Sequence, residues 1–215
     1  MVLKMIKIKA IHLALAVFFL EACGGSDSNS GSSSLSSFSC DPTTDAREAA
    51  FFGDLDQSPE IRLTMYDGSK SATELSDGGN VLLVEPPQGG MISYIGVEAT
   101  NIGACGLTLH ASFRDENNSQ LRFDSRTINL KPKGDGWGQS TVADAGTFAN
   151  VPLCPNQWSQ SDIFGTSYLL TVTINDLKGR EARFEGHVTP QCAEAKMELC
   201  TCICKAGYVL GQICS

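Results

Sequence analysis

The sequence predicts an all-β protein, an antiparallel sandwich of about seven or eight strands followed by a small disulfide-rich segment at the C-terminus. Three observations lead to this prediction. Apolar and polar residues alternate through the middle of the 215-residue chain, turn-forming residues separate the alternating stretches, and the last 24 residues hold five of the nine cysteines. Alternation with a period of two is the pattern of a half-buried strand. A partial barrel is the alternative fold.

Residues 1–22 have the pattern of an export signal. Three lysines precede an apolar run from Ala10 to Leu20, which is a charged region followed by a hydrophobic region of signal-peptide length. The eleven residues of this run are too few to cross the roughly 30 Å of a bilayer as a helix. We therefore expect residues 1–22 to be a signal peptide that is cleaved on export.

The apolar run ends in Leu20-Glu21-Ala22-Cys23. This tetrapeptide resembles the lipobox of bacterial lipoproteins, in which an aliphatic and a small residue precede a cysteine that is diacylated and becomes the new N-terminus. Glu21 departs from the family's pattern, which has a small or hydroxylated residue there. The resemblance implies a lipid bilayer as partner, reached through acyl chains on Cys23. The alternative is ordinary cleavage near Ala22, with Cys23 left as a free thiol.

Residues 23–44 are predicted to form a flexible tether. Of the sixteen residues that follow Cys23, nine are serine and three are glycine. Such a composition cannot bury apolar surface and behaves as a flexible coil. We expect it to hold the folded part of the protein away from a membrane.

The chain is acidic, with 16 basic and 24 acidic residues. Cleavage after Ala22 would remove three lysines and Glu21, which leaves 13 basic and 23 acidic residues and a net charge of −10. An acidic protein lacks the electrostatic footprint that nucleic acid requires and is repelled by anionic lipid headgroups. We therefore expect no nucleic-acid partner and a membrane attachment that depends on the lipid anchor.

Residues 45–190 are predicted to form the sandwich domain. The clearest strand candidate is 107–114, in which apolar residues alternate with polar ones such as His110. The other candidates are 61–65, 81–84, 95–99, 121–124, 127–130, 170–174 and 184–188. Turn-forming sequences separate several of them, at 66–68, 77–80, 86–90 and 115–118.

The last strand pair, YLLTVTINDLKGREARFEGHVTP at residues 168–190, resembles the final hairpin of bacterial immunoglobulin-like domains. The resemblance implies an immunoglobulin-like sandwich. Asp176 lies at the hairpin turn, where it could be a calcium ligand, as in some extracellular sandwiches. Satisfaction of its carboxylate by local backbone amides is the favoured interpretation.

Residues 131–167 show little regular pattern. They contain both tryptophans, Trp137 and Trp158, together with Cys154. Loops this long in compact domains are usually functional or disordered, and the aromatic residues and the cysteine argue against disorder. One hypothesis is a binding surface at an end of the sandwich. The other is that the tryptophans close the sandwich and that Cys154 fixes the loop.

We predict no catalytic residues, no metal site and no cofactor. Only His110 and His187 would remain after export, and they are too few for a histidine-based zinc site. The nucleophile-elbow, zinc-protease, phosphate-loop and dinucleotide motifs are missing from the sequence. Asp54-Leu-Asp56-Gln-Ser58 begins like a calcium loop, but Pro59 and Met65 stand where glycine and glutamate are required.

The eight cysteines other than Cys23 are predicted to form four disulfides, because an exported protein matures in an oxidising compartment. Thiolate metal binding would be the interpretation in the cytosol. Cysteines two apart seldom pair with each other, so 200, 202 and 204 should have three different partners. The eight cysteines are Cys40, Cys105, Cys154, Cys192, Cys200, Cys202, Cys204 and Cys214.

The segment 191–215 is predicted to be a cysteine-rich knot. Cys202-Ile-Cys204-Lys-Ala-Gly207-Tyr208, followed by Cys214, resembles the C-terminal half of an epidermal growth factor-like module, with one cysteine fewer than the family has. The resemblance implies a Cys204–Cys214 pair around the Gly-aromatic turn. For the other pairs we predict Cys105–Cys154, Cys192–Cys202 and Cys40–Cys200. The knot is too short for a core of its own and should dock on the sandwich.

Residues 82–102, LLVEPPQGGMISYIGVEATNI, and the tail CICKAGYVLGQIC give the whole architecture a resemblance to the cysteine-stapled, serine-tethered lipoproteins of unknown function that myxobacteria encode. The resemblance implies a location in the cell envelope, at the outer membrane or cell surface and facing the periplasm or the exterior, with no established activity.

These observations favour a non-enzymatic binding or adhesion module that is anchored to a membrane. Residues 131–167 and the tail would contact a cell-surface protein or a glycan. The alternatives are an exported hydrolase that acts on glycan or peptide, and a purely structural envelope protein.

Overall fold

The computed structural model describes Cys40, residues 50–117 and residues 119–214, which all belong to one compact unit. The predicted signal peptide, the acylation site Cys23 and most of the predicted tether lie outside the described residues. The strands are β1 (Phe51–Phe52), β2 (Glu60–Tyr66), β3 (Ala72–Leu75), β4 (Gly79–Leu83), β5 (Met91–Thr100), β6 (Ile102–Gly103), β7 (Leu107–Arg114), β8 (Gln120–Ile128), β9 (Lys131–Gly134), β10 (Trp137–Gln139), β11 (Ala149–Cys154), β12 (Tyr168–Asn175) and β13 (Glu181–Cys192).

Two larger sheets and a short strand pair make up the fold. The first sheet has the order β3-β2-β5-β10-β9, and β11 pairs with the same long strand β5. The second sheet has the order β4-β13-β12-β7-β8, and β1 pairs with β6. Every pairing of these strands is antiparallel except that of β13 with β4, which is parallel. The all-β prediction is confirmed, and the immunoglobulin-like topology stays a prediction.

Alternating side chains of both sheets form one core. In β7, Leu109 and Phe113 are fully buried, whereas Thr108 of the same strand is exposed. Leu63 and Val97 of the first sheet belong to the same buried cluster. Because alternate side chains of a strand point to opposite faces, the sequence pattern is sufficient to identify which face is buried.

The strand count differs from the prediction: the described residues form thirteen strands rather than seven or eight. Residues 131–167, expected to lack regular structure, contain β9, β10, β11 and a 3₁₀ turn at Ala145–Thr147. The four residues of β9 are all exposed, so they show no alternation. Pro152 argues against a strand, but it is tolerated in β11, which among the described strands pairs with β5 alone.

The C-terminal segment also differs from the prediction, because it contains an α-helix. This helix, α1, is Met197–Cys204. Residues four apart in a helix share a face, whereas residues two apart point in nearly opposite directions. Cys200 and Cys204 are therefore buried together on one face of α1, and Cys202 is on the other. No helix in the described part of the chain is long and apolar enough to cross a membrane.

The helix explains why the predicted connectivity is wrong. All eight cysteines are paired, but none of the four predicted pairs, 105–154, 192–202, 40–200 and 204–214, is present. The buried face of α1 is bonded to the sandwich, and Cys202 on the outer face pairs within the tail. The observed pairs are Cys40–Cys105, Cys154–Cys204, Cys192–Cys200 and Cys202–Cys214. The tail is thus attached to the sandwich by covalent bonds, as the sequence suggested.

The strands give the sandwich two distinct ends. One end, which we call the Cys40 end, has the Cys40–Cys105 disulfide and the turn at Asp176, whose Oδ2 accepts a hydrogen bond from the Gly103 amide at 3.1 Å. The opposite end, the Trp158 end, has the β7–β8 turn, residues 155–167 and α1. Eight-residue strands such as β12 separate the two ends by roughly 27 Å.

Candidate functional site

A cleft of about 210 Å³ lies at the Trp158 end. It is bounded by the β7–β8 turn, by the first residue of β12 and by residues 155–167, which we call the cleft segment. The lining is polar apart from two aromatic rings. Its residues are Asp115, Glu116, Asn117, Trp158, Ser159, Gln160, Ser161, Thr166, Ser167 and Tyr168.

The buried side chain of Asn156 fixes the cleft segment through hydrogen bonds. Its side chain is 1% exposed. The Nδ2 group donates to the carbonyl oxygens of Ser161 at 2.9 Å and Cys204 at 3.3 Å, while Oδ1 accepts from the amide of Ser159 at 3.0 Å. The backbone amide of Asn156 donates to the carbonyl of Ile203 at 2.8 Å. One buried side chain therefore joins the cleft segment to α1.

Tyr168 and Asp162 fix the other side of the segment. The Tyr168 hydroxyl donates to the carbonyl oxygen of Asp162 at 2.8 Å. The Asp162 carboxylate accepts from the amide of Ala206 at 2.7 Å, just beyond α1. A tyrosine hydroxyl is protonated at neutral pH, and burial raises the pKa of Tyr168 further above its usual value. These bonds make the cleft a preformed feature.

Trp158 is the large exposed ring of the cleft. Its side chain is 46% exposed. The guanidinium carbon of Arg122, in β8, lies 3.2 Å from the ring centroid, which is a cation–π contact. Desolvation lowers the pKa of Arg122, and its Nε has no hydrogen-bond partner among the described residues. The arginine therefore supports the ring, and the exposed part of the indole is left for a ligand.

Carboxylates line the wall formed by the β7–β8 turn. Asp115 Oδ1 accepts from the amides of Asn117 at 2.9 Å and Ser119 at 2.8 Å, so this oxygen shapes the turn. Glu116, the next residue, is exposed. Carboxylates accept hydrogen bonds, amides both donate and accept, and hydroxyls do either. Together with an indole ring, this set suits a neutral ligand rich in hydroxyl groups, such as a sugar.

The two tryptophans do not share a surface. Trp137 is in β10, and its neighbour Gly138 pairs with Ala99 near the end of β5. The Trp137 residue is half-buried. The guanidinium carbon of Arg62, in β2, lies 4.3 Å from the centroid of the Trp137 ring. This places Trp137 towards the Cys40 end, far from Trp158. The two rings therefore lie towards different ends of the sandwich, and of the two only Trp158 lines the cleft.

The other singled-out polar residues have structural partners. His110 is half-buried on the outer face of β7, with its ring centroid 5.5 Å from that of Phe123. His187 is exposed on β13, and its amide donates to Asp77 at 2.6 Å. Asp54 accepts from the amide of Asp56 at 2.9 Å in an exposed turn. None of these residues lines the Trp158 cleft.

The Asp176 carboxylate is bonded by backbone amides of its own turn, which is the interpretation that the sequence favoured. Its Oδ1 accepts from the amides of Lys178 and Arg180, both at 2.9 Å, in addition to the bond from Gly103. Three backbone amides thus share this carboxylate. Across the described part of the chain, no group of three or more histidine, cysteine, aspartate or glutamate side chains is placed to hold a metal ion.

Two residues of the site have no recognisable signal in the sequence: Asn156 and Arg122. Asn156 looks like any polar loop residue, and Arg122 contacts a ring 36 positions away. Only the folded chain brings them together. No protein-family model matches the chain, and no curated protein matches its sequence. The geometry of the cleft therefore carries the functional argument.

Proposed function

We propose that this protein is an extracytoplasmic binding module, anchored to a membrane through Cys23, which binds neutral glycans in the Trp158 cleft without chemical conversion. The observation that carries this proposal is the half-exposed Trp158 ring, supported by Arg122 at one wall of a preformed polar cleft. A sugar presents C–H groups on one face and hydroxyls around its edge. It can therefore stack on the indole while its hydroxyls bond to the polar lining.

The four disulfides support an oxidising location. Eight paired cysteines in the described residues are typical of proteins outside the cytoplasm. With these eight paired, Cys23 is the remaining one of the nine cysteines. That number agrees with a separate role for Cys23 as the acylated N-terminus.

The acidic residues favour a neutral sugar over an anionic one. Glu116 and Asp115 line the cleft, and the whole chain has a net charge of −8. A uronic or sialic acid would meet like charge at this wall, which disfavours binding. Neutral hexoses and N-acetylated amino sugars avoid that repulsion.

The test is a titration of the full chain carrying Cys23→Ser, which cannot be acylated at that position. Cellohexaose, maltohexaose, mannohexaose and chitohexaose are the neutral probes, and binding is measured by calorimetry. We expect at least one of them to bind. Trp158→Ala should weaken that binding by about tenfold or more, because the stacking surface is lost.

Trp137→Ala is the matched control, because it removes the other tryptophan and its own arginine contact at a distant position. It should leave the affinity unchanged. Equal losses in the two variants, or an unchanged affinity in Trp158→Ala, would overturn the proposal. So would the failure of all four sugars to bind at about 10 mM, a concentration that detects even weak ligands.

A further inference from the structure

The residues that follow α1 form a small closed loop with an unusual surface. This tail loop, residues 205–214, is closed by the Cys202–Cys214 disulfide. Val209 is 68% exposed, Leu210 71% and Ile213 88%. The other exposed large apolar side chains of the described residues are 44–52% exposed and are dispersed along the chain. Single exposed apolar residues are ordinary, but three within five positions require an explanation.

The loop holds these side chains outward. The Gln212 amide donates to the carbonyl of Val209 at 2.9 Å, which closes a turn around Leu210. Gly211 in that turn has a left-handed φ of 89°, which favours glycine. A ring closed by a disulfide has lost much of its conformational freedom before binding, so presenting the three side chains to a partner costs little additional entropy.

The charge of the loop differs from that of the rest of the chain. Residues 199–214 contain no aspartate or glutamate, and Lys205 is their only charged residue. The whole chain, by contrast, has a net charge of −8. Two carboxylates from outside this stretch adjoin the loop, since Glu198 lines a cavity with Lys205 and Ile213, and Asp162 accepts a hydrogen bond from the Ala206 amide. These carboxylates disfavour an anionic lipid surface and leave a zwitterionic one, where Lys205 can remain at the headgroups.

Val209, Leu210 and Ile213 form the apolar tip of the loop. The small area of this tip argues against a second copy of the chain as its binding partner. Three side chains of this size expose roughly half of the 800 Å² that each partner of a stable protein interface buries. A lipid interface has no such minimum, because any apolar side chain that leaves water is stabilised there. The Tyr208 ring in the same loop, with its hydroxyl 3.4 Å from the Gln212 carbonyl, is of the amphipathic type that is enriched at membrane interfaces.

We propose that the tail loop is a membrane-contact element, which inserts Val209, Leu210 and Ile213 into the interface of a zwitterionic lipid bilayer and keeps Lys205 at the headgroups. The proposal does not depend on glycan binding in the cleft. It is also distinct from the N-terminal anchor, because it requires no acyl chain.

The test is a co-sedimentation of residues 23–215, the chain expected after export, carrying Cys23→Ser, with phosphatidylcholine vesicles, so that the apolar run Ala10–Leu20 cannot contribute to binding. We expect measurable binding. Replacing the three apolar side chains together, by Val209→Ser, Leu210→Ser and Ile213→Ser, should reduce the partition coefficient by about tenfold or more. Folding of this variant is checked by its thermal midpoint, which should stay close to that of the parent because the side chains are exposed.

The matched control combines Phe51→Ser and Leu177→Ser, two exposed apolar residues at the Cys40 end. It should leave vesicle binding unchanged. A second variant, Leu210→Trp, gives a direct measurement, since brominated lipid should quench its added fluorescence if the tip enters the bilayer.

Three results would overturn the proposal. The first is that the parent protein does not sediment with the vesicles, and the second is that the triple serine variant binds as well as the parent. In the third, sedimentation velocity finds a dimer that the triple serine variant converts to monomer, which would identify a second copy as the occupant.

Discussion

At the scale of single residues, the site depends on Asn156 more than on the residues that line the cleft. The Asn156 amide group donates two hydrogen bonds and accepts one. Two of these bonds are to other residues of the cleft segment, and the third is to Cys204 of α1. Buried polar groups that lose their partners destabilise a fold by about 1–3 kcal/mol each. The position of Trp158 is therefore set by a residue that the ligand would not touch.

We expect Asn156→Ala to lower the free energy of unfolding by about 2–3 kcal/mol, because it leaves a buried amide and two carbonyls without this partner. Denaturant unfolding measures the change. Asn129→Ala is the control, since Asn129 accepts one bond, from the Gly106 amide at 2.8 Å, and its loss should cost about 1 kcal/mol. An Asn156→Ala variant as stable as the Asn129→Ala variant would contradict the assigned role.

At the scale of elements, the sequence was sufficient to predict strands that have one buried face. It was insufficient to predict strands that lack this pattern. The alternation in β7, β12 and β13 reports burial directly. By contrast, β9 is exposed on both faces and β11 contains Pro152, so neither shows that pattern. The two candidates 121–124 and 127–130 overlap one continuous strand, β8, which contains the first candidate and ends at Ile128 within the second.

The helix α1 was missed for a different physical reason. It has eight residues, fewer than an isolated helix needs for stability in water. Its cysteines at 200, 202 and 204 also repeat with the period of a strand. The helix is held by the disulfides from Cys154 and Cys192, and both partners lie outside α1, so these bonds leave no helical pattern in its own sequence. The wrong connectivity followed from the missed helix.

The disulfides of the tail should therefore differ in their contribution to stability. Cys154–Cys204 links residues 50 positions apart and Cys202–Cys214 links residues 12 apart. Chain entropy gives about 4 kcal/mol for the first and about 3 kcal/mol for the second. We expect Cys154→Ala with Cys204→Ala to lower the unfolding midpoint in guanidinium more than Cys202→Ala with Cys214→Ala does. The opposite order would contradict the idea that α1 is clamped to the sandwich by Cys204.

At the scale of the whole molecule, the two ends of the sandwich differ in structure, and the proposed function gives them different roles. Cys40 is bonded to Cys105 just before β7, so the N-terminal part of the chain enters the sandwich at the Cys40 end. The cleft, the cleft segment and α1 lie at the opposite end of the same strands. Under the proposed attachment through Cys23, the cleft and the tail loop would lie at the end of the sandwich opposite the one that the tether enters. The predicted flexible tether would let this end reach a glycan on another surface or a bilayer, including the anchoring membrane.

The most direct measurement of this account is hydrogen–deuterium exchange of the full chain carrying Cys23→Ser, with and without the tightest-binding neutral hexasaccharide. The account predicts slower exchange for the amides of the β7–β8 turn and of the cleft segment around Trp158. Exchange at the Cys40 end, around Gly103 and Leu177, should not change. Protection at the Cys40 end, with the Trp158 end unaffected, would contradict the claim that the cleft at the Trp158 end is the binding site.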